Sequence, residues 1–178
     1  MEVQDLSLQG PKLISPQIFR DERGYFLESH QSFKYREVGI HDEFVQDNHS
    51  CSTRGVIRGM HFQAAPGQAK LVRVVSGKIF DVIVDIRPHS PTFGKWIGTF
   101  LDGEKHQQLY IPVGFAHGFC AVSDEAHVLY KTSTIYNSET DRAFRFDDPE
   151  IGIEWPVKDP TVSERDQKCP YFYELRWS

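Results

Sequence analysis

The chain is sparing with cysteine, carries no excess of positive charge and has no long apolar run. Its three cysteines, Cys51, Cys120 and Cys169, stand far apart and without Cys-x-x-Cys spacing. An odd number so spaced argues against a disulfide framework and against a cysteine-based zinc site, and fits a reducing compartment. Twenty lysines and arginines face 25 aspartates and glutamates, a formal net charge of −5. That balance offers no basic surface to a nucleic acid. No stretch approaches the roughly 18 apolar residues of a membrane helix, so no membrane partner is expected. The opening MEVQDLSLQG lacks the basic segment and apolar core of a secretory signal. The expectation is a soluble cytoplasmic protein. Repeats, low-complexity tracts and linkers are also missing. At 178 residues, the chain suits one domain with a real core, spanning 1–178.

What is present is a succession of short apolar runs broken by Gly, Pro, Asp and Asn. AKLVRVVSGKIFDVIVDI, residues 69–86, reads as two strands around a turn at Ser76-Gly77. Lys70, Val72 and Val74 then share one face, and Phe80, Val82 and Val84 another. WIGTFLD, QQLYIPVG, GFCAVS and AHVLYKTSTIY read as four more strands, and GYFLESH and EFVQDNHSCS as two near the start. One helix is expected, over SFKYREVG, with Ser32 as N-cap and Gly39 as its stop. Thirteen phenylalanines and seven tyrosines suit half-buried sheet faces. The pattern predicts an all-β sandwich, jelly roll or barrel. The Pro- and Asp-rich segment from Asp147 to the end is expected to wrap the outside of it.

Inward positions of a small barrel are apolar unless a ligand needs otherwise. His61 with Gln63, His117 between Phe115 and Phe119, Tyr130 with Val128, and Lys70 are the polar exceptions. Taken singly, each has an ordinary role as a structural hydrogen-bonder, a core aromatic or a snorkelling lysine. Together they hold a base, a cation and an acid, the parts needed for proton transfer beside a carbonyl. His30, His41, His49, His89, His106 and His127 read as surface or loop histidines.

The spacing of two of these residues resembles the cupin barrels. Gly55 and five residues lead to His61, and PVGFAH matches Pro-x-Gly-x-x-His with Pro112, Gly114 and His117. Yet Gln63 replaces the second histidine of His-x-His, and Lys70 stands where the glutamate ligand would fall. Divalent metals need imidazole and carboxylate donors, so no metal is expected.

GVIRGMHFQ, QAKLVRVVSGKIFDVIVDIR, SPTFGKW, QLYIPVGFAHGF, VLYK and DDPEIGIEWP together resemble the dTDP-4-dehydrorhamnose 3,5-epimerase family, from about Phe19 to Pro170. The resemblance implies a metal-free cupin-type double-stranded β-helix, or jelly roll, with a few short helices. It implies a homodimer that exchanges N-terminal strands, a nucleotide-linked 4-keto-6-deoxyhexose as substrate, and no cofactor, since nothing is oxidised. By position His61 matches the family's general base, Asp166 the carboxylate that orients it, Tyr130 the acid on the opposite ring face and Lys70 the cation near the C4 oxygen. His117 matches a pocket histidine, and Arg23 and Arg58 residues that hold the diphosphate. Phe19, Phe26, Glu28, Gln46 and Asn48 match residues around the base. Relatives that epimerise one carbon alone keep the same base and acid, and a non-catalytic binder would lose them.

Arg58 and His61 raise a geometric condition. They lie an odd number of positions apart, so a regular strand sends them to opposite faces. Both face one ligand only if the strand is irregular between them, with Gly59 as the place for a bulge or a close backbone approach, or else Arg58 reaches the ligand from a strand end. A regular strand with Arg58 in solvent excludes its phosphate role.

Overall fold

The computed structural model describes residues 1–177. In chain order the strands are β1 (Glu2–Asp5), β2 (Lys12–Ser15), β3 (Ile18–Asp21), β4 (Gly24–Leu27), β5 (Gln46–Thr53), β6 (Val56–Gln63), β7 (Lys70–Ser76), β8 (Lys78–Asp85), β9 (Trp96–Asp102), β10 (Gln108–Ile111), β11 (Phe115–Ala121), β12 (Glu125–Thr132), β13 (Asp141–Ala143) and β14 (Thr161–Val162). Two short helices, α1 (Ser32–Glu37) and α2 (Glu164–Gln167), accompany them. Among the described residues no helix is long and apolar enough to cross a membrane.

The strands form two facing sheets, the jelly roll that the sequence implies. The first has the order β1-β2-β10-β7-β12-β5, the second β13-β6-β11-β8-β9, with β14 added in parallel to β6. β3 and β4 make a separate hairpin that joins neither sheet. The run AKLVRVVSGKIFDVIVDI is indeed two strands, but they belong to different sheets. Gly77 makes that corner with φ +79°, where an added Cβ would lie 2.0 Å from the Glu125 carbonyl oxygen. A side chain fits there neither sterically nor in the left-handed backbone region.

Alternation along the strands sets three layers of apolar contact. Val72, Val74 and Val128 of the first sheet meet Ile79, Ile83, Phe115 and Phe119 of the second between the sheets. Val82 and Val84 face outward from the second sheet and are covered by Phe144, Ile151 and Phe172, with Phe80 packed alongside. Ile14, Leu71 and Tyr110 face outward from the first sheet beneath Tyr35 of α1 and Ile40. The space between the sheets and much of their outer faces is apolar, so polar residues inside need a separate reason.

Several local expectations shift. The helix begins at Ser32, but its N-cap is Gln31, whose side-chain oxygen accepts from the Lys34 amide. Gly39 follows its end with φ +83°. GYFLESH is extended only to Leu27, and AHVLYKTSTIY only to Thr132. QQLYIPVG ends as a strand at Ile111, before Pro112, which has no N–H for a ladder. β1, β2 and β3 are too short and mixed in polarity to show an alternation. His106 lies in a loop but is buried, with its ring 4.4 Å from that of Tyr25.

The irregularity between Arg58 and His61 is present. His61 pairs with His117 and Arg58 with Phe119, so three steps along β6 match two along β11. This bulge changes the parity, and both side chains line the same cavity. Gly59 has φ +144°, and an added Cβ would lie 2.6 Å from Gly118 Cα. Backbone strain and overpacking then act together, so Gly59→Ala is expected to cost about 2–4 kcal/mol, read as a lower urea midpoint. An unchanged midpoint would show that β6 tolerates a side chain at the bulge.

Candidate active site

Between the sheets lies an open cavity of about 500 Å³. His61 reaches it from β6 and His117 from β11, while Lys70 on β7 and Tyr130 on β12 reach it from the facing sheet. A recess of about 200 Å³ adjoins it, lined by Gln46, Asn48 and Gln63 and again by His61, Lys70 and Tyr130.

His61 is held by Asp166. Its Nε2–H donates to Asp166 Oδ1 at 2.8 Å, and the second carboxylate oxygen accepts from the Gly59 N–H at 3.3 Å. Asp166 is 3% exposed, on α2, where its own amide donates to the N-cap Ser163 at 3.1 Å. Burial alone would push its carboxyl up. The His61 hydrogen bond and charge, with the Gly59 amide, outweigh burial and hold it below the usual range. A carboxylate accepting from Nε2 fixes the tautomer, so Nδ1 of the neutral ring keeps its lone pair for the cavity.

A second imidazole–carboxylate pair lies deeper. His117 donates from Nε2 to Asp81 Oδ2 at 2.9 Å, and both side chains are buried. Burial lowers the His117 pKa despite Asp81. Lys70 is buried too, and its ammonium donates to the His61 carbonyl at 3.4 Å. Loss of water brings its pKa down to about 8, against the opposing pull of Asp81 and Asp141. Burial raises the Tyr130 phenol, with Arg58 opposing. Among the described residues, the buried side-chain polar atoms without a hydrogen-bond partner are Ser50 Oγ and Asp81 Oδ1. Ser50 lines the cavity itself.

Arg58 also faces the cavity, steadied by Ser52 Oγ at 2.9 Å and the Cys51 carbonyl at 3.1 Å. Gln46 and Asn48 share a hydrogen bond of 2.9 Å at the recess. Gln63 accepts from the Thr140 hydroxyl at 2.6 Å. An engaged carboxamide and an ammonium thus occupy the two positions where a metal cupin has donors.

Four residues stand apart from this cavity in their own chain. Arg23 lies at the tip of the β3–β4 hairpin, in an ion pair with Asp21 at 2.5 Å. Phe19 and Phe26 stack against each other at 6.5 Å on the same hairpin, 54% and 70% exposed. Glu28 pairs with Lys34 at 2.8 Å. Other lining residues escaped the sequence reading. Arg165 pairs with Asp141 at 2.5 Å on the cavity wall. Its only signal is its place beside Asp166. Asp81, which lies behind His117 rather than on the cavity wall, did carry one, a lone acid inside the apolar run IFDVIV.

The cation at Lys70 has a measurable cost. Its native pKa of about 8 lies below the ordinary lysine value of 10.5, so folding penalises the protonated form. That penalty is complete below pH 8 and fades as pH rises toward 10.5. Lys70→Met should therefore raise stability near pH 7 by up to about 3 kcal/mol. The advantage should shrink across that alkaline window in urea titrations. A Lys70→Met protein less stable than wild type at neutral pH would contradict the buried-cation account.

The sequence and the fold have close counterparts. A family model described as dTDP-4-dehydrorhamnose 3,5-epimerase matches residues 5–174. The chain is 53% identical over 156 residues to dTDP-4-dehydrorhamnose 3,5-epimerase of Shigella flexneri, covering 86% of each. It is 49% identical to the protein of the same name from Methanothermobacter thermautotrophicus, over 90% of this chain and 89% of that one. The crystal structure of dTDP-6-deoxy-D-glucose-3,5-epimerase from Legionella pneumophila, in complex with dTDP-4-keto-L-rhamnose, superposes with a TM-score of 0.95 at 42% identity, covering 98% of this chain and 94% of that one. With the motifs, the two-sheet fold and the overall identity in agreement, the chain belongs to the dTDP-4-dehydrorhamnose 3,5-epimerase family.

Proposed function

We propose that this chain epimerises C3 and C5 of dTDP-4-dehydro-6-deoxy-D-glucose, giving dTDP-4-dehydro-L-rhamnose. The observation that carries this is the opposition of His61 and Tyr130. They reach one cavity from facing sheets, so a sugar ring between them meets a base on one face and a phenol on the other.

The C3 and C5 protons are acidic because both carbons flank the C4 ketone. His61 Nδ1 takes one of them, and Asp166 steadies the imidazolium that forms. The electron pair moves to the C4 oxygen, where the Lys70 ammonium stabilises the enolate. Burial strengthens that attraction, because the charge is not shared with water. Tyr130 gives a proton to the opposite face, which inverts the carbon. Solvent resets His61 and Tyr130, and a second cycle inverts the other centre. His117 lines the pocket and is held in one orientation by Asp81.

Arg58 suits the diphosphate, since a planar guanidinium forms paired, charge-assisted bonds to phosphate oxygens. Arg23, Phe19, Phe26 and Glu28 lie away from their own cavity. In our reading the β3–β4 hairpin crosses to a second copy in a homodimer, bringing these side chains toward the partner's nucleotide. Gln46 and Asn48 contact the nucleotide bound in their own chain's cavity. The chain works as one domain, with the segment from about residue 147 wrapping the barrel, and acts in the cytoplasm without a cofactor.

Proton NMR of dTDP-4-keto-6-deoxyglucose with the protein in heavy water tests this reading. Deuterium is expected at both C3 and C5. Label at one carbon identifies a monofunctional epimerase, and no label at either would overturn the reading. His61→Ala should slow exchange at both carbons by about 10²–10⁴-fold. Tyr130→Phe should reduce net inversion more than initial proton removal. Full epimerase activity in Tyr130→Phe would remove Tyr130 from the acid role.

A further inference from the structure

A second cluster of donor side chains sits on the outward face of the first sheet, along its edge pair β5–β12. Cys51 stands directly across from His127. Ser50 lines the cavity and Ser52 is buried, so Cys51 between them, and His49 before Ser50, point the opposite way. Ala126 and Val128 belong to the core between the sheets, which sends Glu125 and His127 outward as well. The cross-strand pair and its diagonal neighbours thus bring two imidazoles, a thiol and a carboxylate together. Sequence spacing hides this, because the donors come from two strands far apart in the chain.

The donor atoms of Cys51, Glu125 and His127 all lie within 4.8 Å of one another. His127 Nε2 is 3.0 Å from Glu125 Oε1, and its Nδ1 is 2.9 Å from His49 Nε2. A tetrahedral zinc ion, with bonds of about 2.0 Å to nitrogen and 2.3 Å to sulfur, spaces its donors roughly 3.3–3.8 Å apart. Small side-chain rotations bring the three atoms into that range. Thiolate, imidazole and carboxylate together suit zinc or cobalt better than magnesium or calcium. The placement of His49 fits the same reading. A metal-bound imidazole commonly donates its other N–H to an acceptor, which fixes the ring for coordination. Before metal binding, His127 Nε2–H donates to the Glu125 carboxylate, and Nδ1 faces His49 Nε2. When Nε2 takes the metal its proton moves to Nδ1, which then donates to His49.

We propose that Cys51, Glu125 and His127 bind one zinc-type divalent ion, with His49 orienting His127 and solvent completing the coordination. The Cys51 thiol proton leaves to water as the sulfur–metal bond forms. The ion takes no part in the reaction. It would clamp the edge strand β5 to β12, the two strands that carry Asn48, Ser50 and Tyr130 to the cavity and recess.

Cobalt(II) titration of the reduced full-length chain tests this. A ligand-field absorption with a sulfur-to-cobalt charge-transfer band should saturate at a single equivalent, and zinc should displace both. Cys51→Ser should lose the sulfur band, whereas Cys169→Ser should keep it. His49→Ala should weaken cobalt binding roughly ten-fold or more. Circular dichroism checks that each variant is folded. A missing sulfur band in the wild type would overturn the proposal. So would a band lost in Cys169→Ser rather than Cys51→Ser, or unchanged affinity in a folded His127→Gln protein.

Discussion

The hydrogen bond between Asp166 and His61 organises this molecule. A buried carboxylate is stable only if its lone pairs are met. Asp166 meets them with the His61 imidazole and the Gly59 amide. One side chain from a four-residue helix thereby ties the C-terminal segment to a distorted point of β6. The same bulge at Gly59 brings Arg58 round to the face that His61 occupies. Tautomer, strand irregularity and pocket lining are one constraint seen from three sides.

The cavity is also where the fold departs from good packing. A lysine is buried there with its pKa lowered to about 8. An imidazole–carboxylate pair lies in the core, and a serine hydroxyl and a carboxylate oxygen have no hydrogen-bond partner. The buried lysine and the desolvated imidazole–carboxylate pair oppose folding, and neither is needed to join the sheets, since Val72, Val74, Ile79 and Ile83 already do so. Their concentration around one space is the physical signature of a site built for charge that appears only during reaction. The layers outside both sheets supply the compensating burial.

Much of this was legible in the sequence, for particular reasons. WIGTFLD ends as a strand where the sequence predicts, because Gly and Asp mark its limits. His61, Lys70, His117 and Tyr130 stood out as polar side chains at inward positions of apolar strands, a signal that strand alternation makes visible. The odd spacing of Arg58 and His61 requires an irregular strand if both are to face one ligand, and Gly59 between them offers the backbone freedom for the bulge that is present. Asp166 was legible only through family resemblance, for a loop aspartate carries no local mark of burial. Arg165 and the pairing of Asp81 with His117 depend on contacts between distant segments that no periodicity encodes. Strand alternation does not place the hairpin residues, because β3 and β4 belong to neither sheet.

The most direct measurement is nitrogen-15 NMR of the His61 imidazole in the substrate-free protein. Our account puts the proton of the neutral ring on Nε2, facing Asp166, with Nδ1 unprotonated toward the cavity. Asp166→Asn should disturb that preference while His117 keeps its own. A neutral His61 protonated on Nδ1 in the wild-type protein would contradict the account, because its lone pair would then face Asp166 instead of the sugar.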